Sequence, residues 1–294
     1  GPTASGKTRL AVRLARKLGG EILSADSRQV YRGMDLGTGK DVSEYSMGGD
    51  TVPVHLIDIC NPTEEFSVFK FHGLFHEHFR DILRREKIPI LVGGTGLYLD
   101  SVLRRYRMPS VPFDSALRKR ISGEGMEALR GRLLALSPRT HNTTDLIDRD
   151  RLIRAIEIAT FSLEHPDAVN EPAAVSPLVI GIRWERSELR RRITVRLKQR
   201  LESGMVDEVR SLHERGIEWG RLESFGLEYR FVSLFLQGKI PREEMVRILN
   251  IRIHQFAKRQ ETWFRKMERC GVRIHWIEGA DEDAAMDLVE GLAK

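Results

Sequence analysis

The sequence is poor in the residues that build disulfide frameworks and cysteine-ligated metal sites. It contains 2 cysteines, Cys60 and Cys270, which lie far apart in the chain. This spacing excludes a small disulfide-stapled scaffold and a zinc site built from closely spaced cysteine pairs. Low cysteine content is typical of a reducing compartment, so we expect the protein to be cytoplasmic.

Long apolar runs are also absent. No stretch of the sequence approaches the roughly 20 apolar residues that a membrane-spanning helix needs. No internal repeat or low-complexity tract is present either. We therefore expect a globular protein without a membrane partner. We also expect a monomer.

What the chain has in excess is positive charge. Its 294 residues carry a net charge of +6, and 41% of them are hydrophobic and 31% charged. This length is enough for one large domain or two ordinary ones with a buried core. The positive charge favours a polyanionic partner such as nucleic acid, and it would equally suit a soluble protein with a solvated basic face.

The N-terminal stretch carries the clearest local pattern. Gly1-Pro2-Thr3-Ala4-Ser5-Gly6-Lys7-Thr8 fits every fixed position of the phosphate loop G-x-x-x-x-G-K-[ST]. In such a loop, backbone N–H groups and the N-terminus of the following helix hold a chain of phosphates. Lys7 would reach the terminal phosphates, and Thr8 Oγ1 would ligate a Mg²⁺ that bridges two of them. The expected phosphate-binding residues are Gly1, Thr3, Ala4, Ser5, Gly6, Lys7 and Thr8.

The order of apolar runs predicts an α/β fold with a P-loop NTPase-like parallel sheet flanked by helices, and with a helical insertion domain. The pattern predicts strands at 21–25, 54–59, 88–92, 178–182 and 275–277, of which 178–182 is expected to resume the sheet. It predicts helices at 9–18, 66–87, 113–122, 126–136, 149–160, 186–215, 241–270 and 278–294. We expect a catalytic core of residues 1–110 and 166–294, and a helical insertion of residues 111–165. The strand that normally precedes a phosphate loop is expected before Gly1.

Two polar residues follow predicted strands and are candidates for the site. Asp26 comes directly after the strand at 21–25, and Thr95 lies among three glycines after the strand at 88–92. The carboxyl ends of parallel strands form the edge at which open α/β sheets bind ligands. Asp26 would be a carboxylate beside the phosphates or the cap of a turn. Thr95 would present its hydroxyl to a ligand or belong to a tight turn without chemistry.

Two weaker candidates concern metal binding. Asp58 lies in an apolar run that resembles a Walker-B strand, where it would contact a metal or pair with a neighbour at the sheet edge. His72 and His76 are four residues apart on a predicted helix, with His78 close by. No Glu or Cys at a suitable spacing completes a ligand set, which favours ordinary helix residues.

Arginines recur every fourth residue on a predicted helix, at Arg192, Arg196 and Arg200. Residues at this spacing share one helix face. They would form a stripe that binds phosphates, or a solvated face paired with nearby acids. The acids in question are Glu202, Asp207 and Glu208.

In combination, these patterns resemble a known family. The blocks that carry the resemblance occur in order at 1–8, 26–35, 55–58, 92–98, 151–157 and 258–265. Together they resemble the tRNA dimethylallyltransferases, also called tRNA isopentenyltransferases, over almost the entire chain. The Asp-Ser-Arg-Gln block at 26–29 and the Gly-Gly-Thr-Gly-Leu-Tyr block at 93–98 are specific to that superfamily.

The resemblance implies transfer of a dimethylallyl group from dimethylallyl diphosphate to the N6 amine of the adenosine 3′ of the anticodon in tRNA. The phosphate loop would then hold a diphosphate leaving group, stabilised by Lys7 and Mg²⁺. An adenine amine is a poor nucleophile, so a carboxylate such as Asp26 should accept its proton as the new bond forms. Thr95 would lie beside the reacting centre.

The resemblance also implies contacts with the RNA. A target base in a folded loop has to be flipped out, and the segment that begins at Asp26 would receive it. The insertion would clamp the anticodon arm, and the late block would lie on a helix that faces the reaction channel. The expected tRNA contacts are Asp26, Ser27, Arg28, Gln29, Arg151, Arg154, Arg259, Gln260 and Arg265.

The chain departs from the family pattern in two places. Residues 143–148 stand where the family commonly has His-Pro-Asn-Asp, and Phe225-Gly226-Leu227-Glu228-Tyr229 stands where many members carry Ile-Gly-Tyr-Lys. The zinc finger of eukaryotic members is absent from the sequence, which fits a bacterial-type enzyme. Three other functions remain open: an adenylate isopentenyltransferase of the cytokinin type, a small-molecule P-loop kinase with Asp26 as the base, and a non-enzymatic RNA-binding module.

Overall fold

The computed structural model describes residues 1–46, 51–106, 108–109, 111–137, 146–165 and 175–292. The chain divides into two compact units. The first comprises Gly1–Arg104 and Ala174–Lys294, and we call it the core unit. The second comprises Arg105–Ala173, and we call it the insertion unit.

The first half of the core unit is a parallel sheet with helices around it. Its strands are β1 (Glu21–Ala25), β2 (Val54–His55) and β3 (Pro89–Gly93), in the order β2-β1-β3. Its helices are α1 (Lys7–Leu18), α2 (Val68–Arg84) and α3 (Gly96–Leu103), with a 3₁₀ helix at Val42–Tyr45. Every residue of β1 is buried, as expected for a central parallel strand covered on both faces. The register pairs Ala25 with Gly93, so both strands end at the same edge.

Helix α1 is bounded by two glycines. Gly6, directly before it, has φ +84°, and Gly19, directly after it, has φ +61°. Both angles lie in the left-handed region that glycine adopts at little cost. The Gly19 N–H closes the helix by donating to the Ala15 carbonyl. Leu10 and Leu14 recur at helical spacing and are buried on one face.

The second half of the core unit pairs β4 (Ile180–Arg183) with β5 (His275–Glu278) in parallel. The expectation that residues 178–182 resume the first sheet is wrong for the described strands, because β4 pairs only with β5. The phosphate loop accounts for the gap. A Cβ on Gly1 would lie 3.2 Å from Ile182 Cβ, and the Gly1 carbonyl lies close to Gly94, so Gly1 separates β4 from the end of β3.

Helices complete the second half of the core unit. They are α7 (Arg186–Glu202), α8 (Met205–Glu214), α9 (Trp219–Ser224), α10 (Leu227–Leu236), α11 (Arg242–Arg269) and α12 (Glu282–Leu292). Leu197, Val209, Val232 and Leu249 are buried together in their shared core. Each such side chain contributes about 1.5–3 kcal/mol through burial. Among the helices described, none is both long and apolar enough to cross a bilayer.

The insertion unit contains α4 (Ser115–Ile121), α5 (Met126–Leu136) and α6 (Arg149–Glu164). They surround an apolar core of their own that includes Ile121, Leu129 and Ile156. Aspartates cap two of these helices, because Asp114 Oδ1 accepts from the Leu117 N–H and Asp148 Oδ1 from the Arg151 N–H.

Candidate active site

The phosphate loop has the backbone conformation of an anion-binding nest. Ala4, with φ 63°, and Gly6, with φ 84°, are left-handed and alternate with other conformations. The first turn of α1 contains no acid, and no side chain caps its N-terminus. The free N–H groups of that turn are therefore available to an anion, and the helix dipole favours one.

Gln260 connects the phosphate loop to the turn after β3. The Thr3 N–H donates to Gln260 Oε1 at 2.8 Å, and Gln260 Nε2 donates to the Gly94 carbonyl at 2.8 Å. The side chain is buried, and both ends of its amide bond to backbone. The expected contact of Gln260 with tRNA stays a prediction, and in this structure the amide holds the phosphate loop.

Lys7 is a half-buried cation at the start of α1. Within the described residues, its ammonium group has no hydrogen bond or ion pair. Burial and the charge of Arg196 lower the pKa of Lys7 to about 8, while the charge of Asp26 opposes the shift. An ammonium group without a protein partner at this position of a phosphate loop is suited to bind phosphate.

Arg192 packs against the loop on its α7 side. Its Nε donates to the Ala4 carbonyl at 3.0 Å, and its guanidinium lies 4.3 Å from the ring centre of Trp184. Trp184 in turn donates its indole N–H to the Ser5 carbonyl at 3.0 Å. Side chains from the end of β4 and from α7 therefore stabilise the loop conformation.

Arg196, one turn further along α7, donates to Thr3 Oγ1. Burial and the charge of Arg200 lower the pKa of Arg196 to about 10. Two arginines of the stripe, Arg192 and Arg196, therefore contact the phosphate loop, which favours the phosphate-binding interpretation over the solvated face. One of the acids that could have paired with it, Asp207, instead pairs with Arg210.

Glu208 has a different partner, the glycine-rich loop after β1. Its carboxylate accepts from the backbone N–H groups of Asp35, Leu36 and Gly37, at 2.8, 2.7 and 3.0 Å. The Tyr229 hydroxyl donates to the same carboxylate at 2.6 Å. Glu208 therefore fixes the backbone of this loop and does not pair with the arginines of α7.

Asp26 lies at the carboxyl end of β1, beside the turn that carries Thr95. Its Oδ1 accepts from the N–H groups of Arg28 and Gln29, at 2.9 and 3.4 Å, so it caps the turn. Its Oδ2 has no hydrogen-bond partner among the residues described. Thr95 Oγ1 accepts from the Ser27 N–H at 3.1 Å, which leaves the hydroxyl proton of Thr95 free to donate.

Thr8 is the candidate magnesium ligand. The Tyr45 hydroxyl interacts with the Thr8 side chain, and burial raises the pKa of Tyr45. Asp41 and Glu44 lie near this tyrosine. In the described part of the chain, no three His, Cys, Asp or Glu side chains cluster as a metal cage. A hydroxyl with carboxylates nearby fits Mg²⁺ that is held mainly through phosphate oxygens and water.

Asp58 pairs with a buried lysine. Lys40 Nζ donates to Asp58 Oδ1, to Asp35 Oδ1 and to the Tyr31 carbonyl. The Lys40 side chain is completely buried, so its charge needs these partners. The contacts favour the pairing interpretation of Asp58 over a metal contact.

The histidines of α2 form a buried pair. His72 Nε2 and His76 Nε2 lie 3.3 Å apart within hydrogen-bond distance. No third metal-ligating side chain joins them in the described residues. The expectation that they are ordinary helix residues stays a prediction.

The polar residues after Asp26 differ in how many of their hydrogen-bonding groups already have partners in the protein. Gln29 Nε2 donates to the Gly39 carbonyl at 2.9 Å, and its Oε1 accepts from Ser24 Oγ at 3.2 Å. The Arg28 guanidinium has no hydrogen bond within the described residues, and burial lowers its pKa. Arg28 is therefore the freer of the two candidates for binding a base or phosphate.

The remaining candidates lie on α6 and α11. Arg154 donates to the Val111 carbonyl at 2.6 Å and to Glu157 at 2.9 Å, so it braces the insertion unit, whereas Arg151 is exposed. Arg259 is exposed, with its guanidinium 5.8 Å from the Phe256 ring centre. Arg265 is also exposed on α11. Contact of these arginines with RNA stays a prediction.

Sequence patterns did not identify two residues that contribute to this site. Trp184 supports the loop backbone. Burial raises the pKa of Glu228, at the start of α10, and the charges of Arg200 and Arg196 on α7 oppose that rise. A lone tryptophan after a predicted strand carries no functional signal in one sequence. The signal at Glu228 was its position in the block that departs from Ile-Gly-Tyr-Lys.

Known proteins resemble this chain in sequence and in fold. A family model described as IPP transferase matches residues 29–267. The tRNA dimethylallyltransferase 1 of Syntrophus aciditrophicus (strain SB) is 56% identical, over 99% of this chain and 96% of the relative. The crystal structure of full-length tRNA isopentenylpyrophosphate transferase from Bacillus halodurans has a TM-score of 0.70 at 34% identity, covering 100% of this chain and 93% of that one.

A more distant solved structure shares the fold. It is a eukaryotic dimethylallyltransferase acting on tRNA, with a TM-score of 0.77 at 22% identity, covering 100% of this chain and 76% of that one. The family model covers most of the chain, and the 56% identity extends over nearly its full length. The chain belongs to the IPP transferase family, the family of the tRNA dimethylallyltransferases.

Proposed function

We propose that the protein transfers a dimethylallyl group from dimethylallyl diphosphate to the N6 amine of the adenosine immediately 3′ of the anticodon in tRNA, and releases diphosphate. The observation that carries this proposal is that one site contains both Lys7, a phosphate-loop lysine without a protein partner, and Asp26, a carboxylate with one free oxygen. The names of the relatives, tRNA dimethylallyltransferase and tRNA isopentenylpyrophosphate transferase, support the tRNA acceptor and the transferase activity.

The acceptor half of the reaction needs a base. The lone pair of an adenine amine is drawn into the ring, so the amine becomes nucleophilic enough only as its proton leaves. Asp26 Oδ2 accepts that proton while the nitrogen bonds to the allylic carbon, and such assistance contributes roughly 10²–10⁴-fold in rate. Thr95 holds the Asp26 turn through the Ser27 N–H and offers its hydroxyl to the reacting centre.

The donor half of the reaction needs positive charge where the carbon–oxygen bond breaks. Diphosphate gains negative charge as it departs, and in this proposal Lys7, the loop N–H groups and Arg196 bind it. Thr8 would hold Mg²⁺ against the diphosphate oxygens, where the ion supplies charge neutralisation. Fixed donors of this kind stabilise the transition state without reorganisation of solvent.

The acceptor is an RNA rather than a free nucleotide. Exposed or unpaired arginines at positions 28, 151, 259 and 265 supply charge that a single nucleotide would not need. A flipped adenine would enter between the segment at Asp26 and the phosphate loop, with Arg28 close by. A tRNA substrate is consistent with a cytoplasmic enzyme.

The test is a competition between acceptors. The protein is incubated with dimethylallyl diphosphate, Mg²⁺ and equal concentrations of an unmodified anticodon stem–loop and AMP, and each product is quantified by mass spectrometry. We expect the stem–loop to gain one dimethylallyl group and AMP to remain unmodified. Equal modification of AMP would identify an adenylate isopentenyltransferase instead. A separate incubation with ATP and a small hydroxyl acceptor tests the kinase alternative, and ADP formation there without prenyl transfer in the competition would identify a kinase.

A further inference from the structure

Gln260 is a buried amide on α11 whose two ends bond to two separate segments of the candidate site. Its Oε1 accepts from the Thr3 N–H at 2.8 Å, and its Nε2 donates to the Gly94 carbonyl at 2.8 Å. Thr3 belongs to the phosphate loop, and Gly94 belongs to the turn that carries Thr95. One side chain therefore joins the segment proposed to hold the donor to the turn proposed to face the acceptor.

The Gln260 amide has little freedom to leave this position. Gln260 is 7% exposed, and Ala257 and Phe264, which share its face of α11, are buried as well. The first half of the same helix is packed into the core of the second half of the core unit through Leu249 and Ile253. Because an amide that turned away inside such packing would lose both of its bonded partners, the observed orientation is strongly favoured.

The glycines on either side of Thr95 make room for side chains of α11. A Cβ on Gly94 would lie 2.5 Å from Gln260 Nε2. A Cβ on Gly96 would collide with the ring of Trp263. A residue without a side chain at both positions therefore allows α11 to approach the backbone of the turn closely enough for Gln260 to bond to it.

Further hydrogen bonds continue from the turn to the candidate base. Thr95 Oγ1 accepts from the Ser27 N–H at 3.1 Å, and the Thr95 N–H donates to the Ala25 carbonyl at 3.4 Å. Asp26 lies between these two partners in the sequence. The segment that carries Asp26 is therefore fixed to the Thr95 turn, and Gln260 fixes that turn to the phosphate loop.

We propose that Gln260 is a positioning residue that sets the distance between the phosphate loop and the Thr95 turn, and thereby aligns the diphosphate donor with the acceptor amine. The effect on rate rests on the proposed function, whereas the bridge between the two segments does not. Reacting groups have to be held in a defined geometry, and a misplacement of about 1 Å can slow a reaction about 100-fold. In this role Gln260 does not contact the RNA, because its amide is buried and bonded at both ends.

The first test separates rate from binding in Gln260→Leu, which removes both hydrogen bonds and keeps a side chain of similar size. Single-turnover prenyl transfer at saturating dimethylallyl diphosphate, Mg²⁺ and anticodon stem–loop should be about 100-fold slower per pyrophosphate-binding site. The affinities for pyrophosphate and for the stem–loop, measured by calorimetry and by fluorescence anisotropy, should change far less than the rate. A residue that only stabilised the fold would lower the melting temperature and leave the rate per site unchanged.

Gln255→Leu is the matched control. It makes the same substitution at an exposed position of the same helix, five residues before Gln260. Gln255 has no contact with the phosphate loop or the Thr95 turn among the described residues, and its side-chain oxygen accepts only from the exposed Arg252. This variant should transfer the prenyl group at the wild-type rate.

Hydrogen exchange tests the bridge without a transfer reaction. Saturating pyrophosphate should slow amide exchange of the wild type both in the phosphate loop and at residues 93–98, because Gln260 bonds to both segments and an ordered loop then restrains the turn. In Gln260→Leu, pyrophosphate should slow exchange in the phosphate loop alone. Protection at residues 93–98 that is absent from the wild type, or that is equal in the variant, would overturn the bridge.

The remaining outcomes also decide. A wild-type transfer rate in folded Gln260→Leu overturns the proposal, and weaker stem–loop binding with an unchanged rate at saturation would make Gln260 an RNA contact instead. If Gln260→Leu does not fold, Gly94→Ala takes its place in both measurements, because its Cβ displaces Gln260 Nε2, and wild-type behaviour of that variant overturns the proposal. Absence of prenyl transfer by the wild type contradicts the proposed function, and hydrogen exchange then decides on the bridge alone.

Discussion

At the scale of single residues, the two carboxylate oxygens of Asp26 have different surroundings. Oδ1 accepts from two backbone N–H groups of the following turn, and Oδ2 has no partner in the described part of the chain. The sequence leaves the turn cap and the base as alternatives, because an aspartate followed by serine suits either. The structure shows Oδ1 as the cap of the turn and no partner for Oδ2 among the described residues, so the cap is compatible with the proposed role as base.

Asp26→Asn separates these roles. Asparagine keeps an oxygen that can cap the turn, but it cannot accept a proton from the amine. We expect the single-turnover rate of prenyl transfer to fall roughly 10²–10⁴-fold because general-base assistance is removed. Pyrophosphate binding, measured by calorimetry, should persist in the variant because the phosphate loop is unchanged. A wild-type transfer rate would show that Asp26 is not the base.

The buried histidines of α2 are a second property of individual residues. Burial and the charge of His72 lower the pKa of His76 from 6.5 to about 4, and burial lowers the pKa of His72. At pH values between about 4 and 6.5, the two pKa values of His76, the unfolded chain binds more protons than the folded protein. The free energy of unfolding therefore rises with pH across the window and falls on acidification.

Acidification through this pH window should lower the free energy of unfolding by up to about 3 kcal/mol, since a shift of one pKa unit corresponds to about 1.4 kcal/mol. Denaturant titrations at about pH 4.5 and about pH 7 measure this decrease. His76→Leu removes the titrating ring, so the stability of this variant should fall less than that of the wild type between the two conditions. Equal decreases in both proteins would contradict the assignment to His76.

At the scale of secondary-structure elements, the helical pattern at 186–215 runs through a break. The chain forms α7 and α8, separated around Gly204, which has φ +99°. Apolar residues continue at helical spacing on both sides, so periodicity predicts one helix. The glycine is the local signal for the break, because its backbone conformation is unfavourable for other residues.

Gly204→Ala should therefore destabilise the protein. Forcing an L-residue into the left-handed region costs about 1–2 kcal/mol. Gly131→Ala is the matched control, because Gly131 lies inside α5 with nothing within 4 Å of the position its Cβ would take. That control should be neutral or more stable by about 0.5–1 kcal/mol. Thermal unfolding of both variants measures the difference, and equal melting temperatures would contradict the strain at Gly204.

At the scale of the whole molecule, local patterns predict the phosphate loop, the strands at 21–25 and 88–92, and the meeting of Asp26 with Thr95. These features depend on residues that are close in sequence or on strands that end at one edge. Contacts between distant segments were not predictable from one sequence. Thr3 and Gln260 are separated by 257 positions, and nothing near either residue indicates the other as its partner.

The ligand of the arginine stripe was also not predictable from the sequence. Its spacing predicts one helix face, but a polyanionic RNA and a diphosphate suit such a face equally well. The contacts of Arg192 and Arg196 with the phosphate loop favour the diphosphate. The division into two sheets was not predictable from the sequence patterns either, because β4 and β5 have the composition of ordinary buried strands.

RNA binding should depend on arginines outside the stripe on α7. Arg151→Ala and Arg265→Ala remove exposed charges from the two units. Each should reduce the salt dependence of stem–loop binding, by a slope of roughly 0.7 for every phosphate that the variant no longer neutralises. Fluorescence anisotropy at several salt concentrations measures the slope, and pyrophosphate affinity should not change. An unchanged slope in both variants would place the RNA elsewhere on the protein.

The central claim is that the phosphate loop holds a diphosphate leaving group while Asp26 prepares an adenine amine on RNA. The most direct measurement quantifies prenylated adenosine and released diphosphate in one reaction of the wild-type protein with dimethylallyl diphosphate, Mg²⁺ and an unmodified anticodon stem–loop. We predict equal molar amounts of both products, with the new group on the adenosine 3′ of the anticodon. Diphosphate release without a prenylated base, or no release at all, would contradict the account.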